Sequence, residues 1–393
     1  MVHELFCKYL LPGRKKYRIS IRSYVHNLRQ LKILVSKLDK VNHIINLLIK
    51  LFIESGATLH KLDLNFPLWL ELKPVIFYVL EENKQFFSRI QHLCLGQISD
   101  NLGSAATLLK ALAKKQLRLF FLDGDYGGYP TEFYGIISAL ESQKNSLQEV
   151  IFDHCDFSAE FEVLNKCKNL ETLRIRNCTT RLLKLLDYKV STLEVVDFQY
   201  YAMPLIFEKS GKLLQRLILE FNGEFGKFRD ESVLLEPLLE ALKSFCPNIT
   251  YLSIQGIGFS TQLVELIGNL QNLQFLSLWC DDVDDIPEEI LKLRVIQFSE
   301  KLPLTLKYFN LGDTWLEPYT DILLNHCNAP LKKMLIYRLN NERISKALVE
   351  FCIRNKTLNY VGVDEYLDLD NNIRKEVENY VELVPYEYIV VDY

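Results

Sequence analysis

The chain has 393 residues, of which 49% are apolar, and its 46 basic side chains stand against 50 acidic ones. The resulting formal charge of −4 gives no overall attraction to a phosphate backbone, so nucleic acid is not an expected partner. The longest apolar stretch, residues 41–59, is interrupted by polar and charged side chains, and the first residues lack a signal-peptide pattern. We therefore expect no membrane partner and an intracellular protein of the cytoplasm or nucleus.

Residues 1–58 carry no clear repeat, and we predict that they form a helical N-terminal cap or a degenerate repeat. Residues 1–40 contain ten Lys or Arg and two acidic residues. A solvated end is the simpler interpretation of such a charge run, and contact with an acidic partner is the alternative.

A repeated apolar triplet organises residues 59–364. Residues 170–178 (LETLRIRNC) and 214–222 (LQRLILEFN) both follow the pattern L-x-x-L-x-L-x-x-N/C. Twelve such triplets begin at residues 59, 90, 117, 147, 170, 193, 214, 249, 273, 306, 331 and 358. Their mean spacing of about 27 residues lies within the range of leucine-rich repeats.

The apolar face of one such repeat can be buried only by its neighbours, so the repeats must stack. The predicted fold is an α/β leucine-rich-repeat solenoid of about 12 repeats, a horseshoe with a parallel concave sheet and convex helices. We expect Leu173, Leu217, Leu252 and Leu276 to point into one core, where truncation to Ala costs about 2–5 kcal/mol.

The segments between triplets show helical spacing of apolar residues, most clearly in residues 232–245, 262–270, 321–325 and 344–353. The nine cysteines include no Cys-x-x-Cys pair, which disfavours both a metal site and a disulfide framework. Cys167, Cys246, Cys327 and Cys352 precede triplets, and Cys155 and Cys178 occupy the N/C position of the repeat. We interpret all six as reduced thiols that pack between repeats.

Two long spacings admit insertions, near residues 222–230 and at the acidic residues 281–289. The acidic segment lacks the spacing of an EF-hand, so a solvated loop is preferred to a cation site. Residues 365–393 are predicted to form a C-terminal cap, with nine acidic and two basic residues over 361–393.

Catalytic signatures are missing from the sequence. No H-E-x-x-H, P-loop, G-x-S-x-G or kinase motif occurs, and no histidine has a nucleophile or acid at motif spacing. We expect no enzyme activity, no cofactor and no metal. A hydrolase whose residues meet only in the folded solenoid is the least favoured alternative.

The candidate binding residues come from the strand positions that alternate with the inward leucines. In the last five repeats these positions are aromatic, and the predicted protein-binding set is Tyr251, Phe275, Trp279, Tyr308, Tyr337 and Tyr360. Exposed aromatic clusters are typical of binding hot spots, with Trp279 near the middle as the expected anchor. The alternative is that inserted loops or the C-terminal tail cover them.

The L-x-x-L-x-L-x-x-N/C repeats with cysteine variants resemble the ribonuclease-inhibitor-like repeats of F-box proteins. Segments such as residues 46–64 and 384–392 resemble the fungal F-box/LRR families, and the resemblance covers roughly residues 44–393. It implies a substrate receptor of an SCF-type ubiquitin ligase, which joins a Skp-type adaptor through an F-box and selects a protein with its repeats.

This sequence departs from that family where the F-box should lie. Leu10-Leu11-Pro12 leads into Gly-Arg-Lys-Lys rather than toward the Ile-Phe that an F-box reaches. A Skp-type adaptor is therefore a partner only if an F-box precedes Met1. The expected function is non-catalytic binding of a protein substrate on the concave face, and the alternative is an LRR adaptor or decoy without a ubiquitin-ligase role.

Overall fold

The structure is a computed structural model, and it divides into two compact units, Met1–Asn169 and Leu170–Tyr393. It describes residues 30–34, 59–65, 88–96, 109, 116–124, 135–156, 159–179, 189–196, 203–221, 231–281, 286–311, 316–339, 341–364 and 369–389. The predicted insertion at residues 222–230 and Cys7 lie outside the described residues.

The first unit is built on parallel strands that pair in chain order. Its described strands are β1 (Gln30–Leu34), β2 (Lys61–Asn65), β3 (His92–Gly96), β4 (Leu119–Asp123) and β5 (Glu149–Asp153). A short helix α1 (Ile136–Ala139) continues into a 3-10 turn (Leu140–Gln143), and a second 3-10 segment (Ala159–Lys166) follows β5.

The second unit continues the same alternation with longer helices. Its strands are β6 (Thr172–Arg176), β7 (Thr192–Val196), β8 (Arg216–Glu220), β9 (Tyr251–Gly258), β10 (Phe275–Asp281), β11 (Tyr308–Asn310), β12 (Lys333–Ile336), β13 (Tyr360–Val363) and β14 (Glu382–Pro385). Its helices are α2 (Met203–Ser210), α3 (Glu231–Phe245), α4 (Thr261–Asn269), α5 (Glu288–Lys301), α6 (Thr320–His326), α7 (Glu342–Arg354) and α8 (Asn371–Glu378). Each strand from β6 to β14 pairs in parallel with the next.

The inward leucines form a continuous row across these strands. Leu173, Leu217, Leu252 and Leu276 occupy matching register positions, and each is completely buried. On the same side of the sheet, Phe309 of β11 packs against Phe298 of α5 with ring centroids 6.0 Å apart. The core therefore lies between strands and helices, and the predicted α/β leucine-rich-repeat solenoid is confirmed.

The strand stack extends beyond the predicted repeats at both ends. Strands β2 to β13 lie at the twelve predicted triplets, whereas β1 and β14 lie in segments predicted as caps. The triplet predicted to begin at residue 193 is wrong by three positions, because Leu193 pairs with Leu173 and Leu217, the second apolar residues of their triplets. Leu31 pairs with Leu62, and Leu383 pairs with Val361, in the register of the other repeats. The predicted division into residues 1–58, 59–364 and 365–393 stays a prediction.

The four predicted helical segments correspond to α3, α4, α6 and α7. Helix α4 begins after Ser260, whose hydroxyl accepts a hydrogen bond from the Leu263 N–H at 3.2 Å. The acidic segment 281–289 was predicted to be one loop, and this is wrong at both ends, because Asp281 ends β10 and Glu288 and Glu289 start α5. Residues 282–285 lie outside the described residues. Carboxylates are favourable there because the helix N-terminus carries partial positive charge.

Polar side chains ahead of the strands tie repeats of the second unit together. Asn248 Nδ2 donates to the Lys212 carbonyl at 2.8 Å, and Asn272 Nδ2 donates to the Pro247 carbonyl at 3.2 Å. These bonds satisfy carbonyl groups of the preceding repeat where the chain turns into a strand.

The cysteines of the described residues are free thiols, as predicted. Burial raises the pKa of Cys246 to about 12 and that of Cys167, Cys327 and Cys352 to about 11. A thiol with so high a pKa forms little thiolate at neutral pH, which makes these four side chains packing residues.

Cys155 and Cys178 show why the repeat tolerates cysteine at its N/C position. The preceding residues, His154 and Asn177, both have φ of 50°, a left-handed conformation that turns the chain out of the strand. The thiols then lie 3.2 Å from the Asp153 carbonyl and 3.0 Å from the Arg176 carbonyl.

No helix formed by the described residues is both long and apolar enough to cross a bilayer.

Candidate functional site

The predicted aromatic residues lie on the face of the second unit opposite its helices, called the open face below. Tyr251, Phe275, Tyr308 and Tyr360 occupy one row of the register, with Lys333 between the last two. Trp279 lies four residues beyond Phe275 in β10, and Tyr337 follows the last residue of β12. The alternation of strand side chains thus brought the row together as expected.

Three of these rings form a stack along the row. The Tyr251 and Phe275 ring centroids are 3.9 Å apart with planes inclined by 6°, and those of Phe275 and Tyr308 are 4.1 Å apart at 7°. Parallel strands in register are about 4.8 Å apart, so aromatic side chains at equivalent positions meet face to face. We call Tyr251, Phe275 and Tyr308 the aromatic stack.

The aromatic stack is buried, which corrects the expectation that these rings are exposed. Each of the three residues retains only 7% of its accessible surface. The ring faces cover one another, and the stack belongs to a larger buried apolar cluster.

Arg216 closes the end toward β8. It pairs with Tyr251 in the register, and its guanidinium carbon lies 4.3 Å from the Tyr251 ring centroid. A guanidinium at this distance is attracted to the negative face of the ring.

The C-terminal tail, residues 386–389, lies on the open face near the other end of the aromatic stack. Tyr386–Tyr388 form a 3-10 turn that packs against β13, and Ile389 is buried in one cluster with the aromatic stack and Leu335. The tail thus contacts the open face at Gly362 and leaves Tyr360 and Trp279 exposed.

Gly362 of β13 makes room for the tail. A Cβ atom at this position would collide with Leu335 Cδ2 and lie 3.0 Å from Ile389 Cδ1. The absence of a side chain thus leaves a site on the open face that the side chains of Leu335 and Ile389 fill together. We call it the Gly362 pocket.

The other predicted residues remain accessible. Trp279 is 47% exposed and Tyr360 is 38% exposed, while Tyr337 is half-buried with the Arg338 guanidinium 5.0 Å from its ring centroid. Trp279 therefore presents a large apolar surface beside the buried aromatic stack.

A β-bulge lies next to Trp279. The register between β9 and β10 shifts after Trp279, because Gly256 is an extra residue in β9 with φ of 72°. A Cβ on Gly256 would approach the Phe221 carbonyl oxygen to 2.5 Å, so glycine is required. Such bulges redirect side chains and increase local twist, often beside functional sites.

Charged residues occupy the open face from β6 to β8. Glu194 is 5% exposed; its Oε2 accepts a hydrogen bond from Arg174 Nη1 at 2.5 Å, and its Oε1 accepts one from Arg176 Nε at 2.6 Å. Burial raises the pKa of the neighbouring Glu220 carboxyl and the negative charge of Glu194 raises it further, while Arg176 acts in the opposite direction. Sequence analysis missed this ion-pair group, because the triplet predicted to begin at residue 193 did not put Glu194 beside Arg174 and because ion pairing depends on side-chain conformations.

The first unit contains one group of residues that could hold a metal among the parts of the chain described. Asp123, Asp153 and His154 place three ligand atoms within 4.8 Å of one another. His154 Nδ1 lies 3.0 Å from Asp153 Oδ1 and 3.4 Å from Asp123 Oδ1, which are also the distances of a histidine–carboxylate ion pair. The sequence showed Asp153 beside His154, but Asp123 joins them only through the strand register.

Comparisons with known proteins identify no family. No family model matches the chain, and no curated protein matches it in sequence. Among solved structures, a protein from Bacteroides fragilis matches with 13% identity and a TM-score of 0.35, covering 92% of this chain and 88% of that chain. A chain of the Rad7 and Elc1 complex in yeast matches with 12% identity and a TM-score of 0.41, covering 88% of this chain and 93% of that chain. TM-scores this low carry no functional argument.

Replacement of Phe275 by Ala should destabilise the second unit strongly. The central ring of the aromatic stack loses contacts on both faces, so we expect a loss of about 3–5 kcal/mol in the free energy of unfolding. Chemical denaturation followed by circular dichroism measures it.

Trp279→Ala is the matched control, since Trp279 lies on the same strand and face but is half exposed. Its loss of stability should be clearly smaller. Equal losses for the two variants would contradict the stacked arrangement.

Glu220→Gln should stabilise the protein increasingly as pH rises. A carboxyl whose pKa is higher in the folded than in the unfolded state lowers stability once pH exceeds its unfolded pKa, and the neutral amide avoids that cost. Melting temperatures of variant and wild type should differ little at pH 4 and most at pH 7. Ser253→Ala, a neutral change on the same face, should give an offset independent of pH, and a pH-independent offset for Glu220→Gln would refute the assignment.

Proposed function

We propose that this chain is a non-catalytic protein-binding module and that another protein binds to the open face of its second unit. The observation that carries the proposal is the half-exposed Trp279 beside a buried and immobilised aromatic stack. A large exposed ring on a rigid support loses little conformational freedom when a partner covers it.

The arrangement of the face supports binding by a protein rather than a small molecule. Trp279 and Tyr360 are exposed on two different strands of this face, β10 and β13. The Arg174–Glu194–Arg176 group is formed by β6 and β7, two neighbouring strands nearer the start of the same unit. Aromatic anchors bordered by charged side chains are typical of protein interfaces. The high thiol pKa values of Cys167, Cys246, Cys327 and Cys352 argue against a cysteine nucleophile at these positions.

The cellular role that we propose for this protein-binding module comes from its sequence resemblance to a known family. By likeness to the fungal F-box/LRR proteins, the bound protein is a substrate for ubiquitylation and the chain is a receptor of an SCF-type ligase. The alternative is an adaptor or decoy that binds the same protein without a ligase. In either role the chain acts in the cytoplasm or nucleus.

Trp279→Ala should abolish partner binding with little loss of stability. A buried interface tryptophan contributes about 2–4 kcal/mol, so the dissociation constant should rise at least thirtyfold. Quantitative pull-down of cellular proteins, with thermal melts of the same preparations, measures both effects.

Leu293→Ala is the control, because Leu293 is 60% exposed on helix α5 and lies away from the open face. It should retain every partner that the wild type binds. Retention of all partners by Trp279→Ala would reject the proposed surface.

The ligase role is tested with the Skp-type adaptor. We expect that the 393-residue chain does not co-purify with the adaptor, because residues 10–16 (LLPGRKK) do not continue as an F-box does. The same chain fused to an authentic F-box should recover the adaptor and serves as the control. Stoichiometric co-purification with the unfused chain would show that residues 1–58 bind the adaptor after all.

A further inference from the structure

The C-terminal tail, residues 386–389, is held on the open face by one buried side chain. Within the tail, Tyr386 and Tyr388 are 37% and 74% exposed, and Glu387 is also exposed, whereas Ile389 is only 9% exposed. One branched aliphatic side chain therefore anchors a segment that is otherwise in solvent.

The backbone of the tail is not part of the sheet. The hydrogen bond found within residues 386–389 joins the Ile389 N–H to the Tyr386 carbonyl at 3.2 Å, inside the tail itself. The preceding strand β14 is held differently, because it pairs with β13 along four residues from Glu382 to Pro385. Removal of Ile389 from the Gly362 pocket would thus leave the strand ladder intact.

The Gly362 pocket is also continuous with the proposed binding surface. Ile389 and Leu335 belong to the same apolar cluster as Tyr251, Phe275 and Tyr308. Lys333 lies in the row between Tyr308 and Tyr360, so a positive charge accompanies the apolar site.

We infer that the Gly362 pocket is the anchor site for the partner protein and that Ile389 is its displaceable resident occupant. The partner is a protein segment with one branched aliphatic side chain among aromatic and acidic residues, the chemistry of Tyr386-Glu387-Tyr388-Ile389. This inference rests on the proposed function, which it deepens by specifying the chemistry of the partner.

The test uses the full chain and a fluorescently labelled peptide of residues 384–393 (VPYEYIVVDY). The Ile389→Ala chain has an empty pocket and should bind this peptide at least about tenfold more tightly than the wild type, whose own tail competes at high effective concentration. A peptide with Ala in place of the isoleucine should bind at least about tenfold more weakly. Fluorescence anisotropy measures these affinities.

Two glycine substitutions in the Ile389→Ala background provide a matched pair. Gly362→Ala places a Cβ in the pocket and should abolish peptide binding. Gly258→Ala should preserve it, because a Cβ on Gly258 meets no atom within 4 Å and Gly258 is also a strand residue.

Each other outcome overturns the inference. Equal peptide affinity for wild type and Ile389→Ala would show that the tail does not occupy the site. An Ile389→Ala chain that is unfolded would show that the tail is a fixed structural cap. A wild-type dimer in sedimentation that dissociates on Ile389→Ala would assign the pocket to the tail of a second copy.

The readouts separate this inference from the proposed function. Peptide binding in trans combined with unchanged partner binding by Trp279→Ala would reject the proposed function. Loss of partners in Trp279→Ala without any peptide binding would reject the Gly362 pocket alone.

Discussion

In-register parallel pairing of the strands is the constraint on which the rest of this structure depends. Because each strand of the second unit pairs with the next at matching positions, a residue type that recurs once per repeat becomes a row. On the helix side the rows are leucines, and they form a core that no single repeat could bury. On the open face the same pairing brings tyrosine and phenylalanine rings to stacking distance. One geometric rule therefore produces both the stability of the unit and its candidate surface.

The aromatic stack converts a repeated sequence feature into a rigid platform. Its rings are covered by each other, by Arg216 and by the residues around Ile389, so they contribute to folding as core residues do. A binding partner can therefore contact only the accessible residues beside the aromatic stack, above all Trp279. This division between supporting and contacting rings explains why the aromatic residues of the open face expose only part of their aromatic area.

Small residues decide where the open face departs from regular repetition. Gly256 permits the bulge beside Trp279, and Gly362 permits the tail to lie against β13. The buried carboxylates of this face also differ from repeat to repeat. Glu194 is hydrogen-bonded to two arginines, whereas the pKa of Glu220 is raised. The face thus combines a well-compensated charged region with an apolar region that the chain itself partly occupies.

The amino-acid sequence by itself determined the repeat, the inward leucines such as Leu252, the helices between strands and the face on which the aromatic residues lie, because these depend on local periodicity. Sequence analysis missed β1, although Leu28, Leu31 and Ile33 fit the triplet, and it missed β14, whose triplet is degenerate. Both strands are identified by their pairing with β2 and β13. Exposure of individual residues was decided by the tertiary structure alone. Phe275 is buried and Trp279 is accessible, although both alternate outward on one strand, because burial depends on which residues of neighbouring repeats and of the distant tail lie above each position.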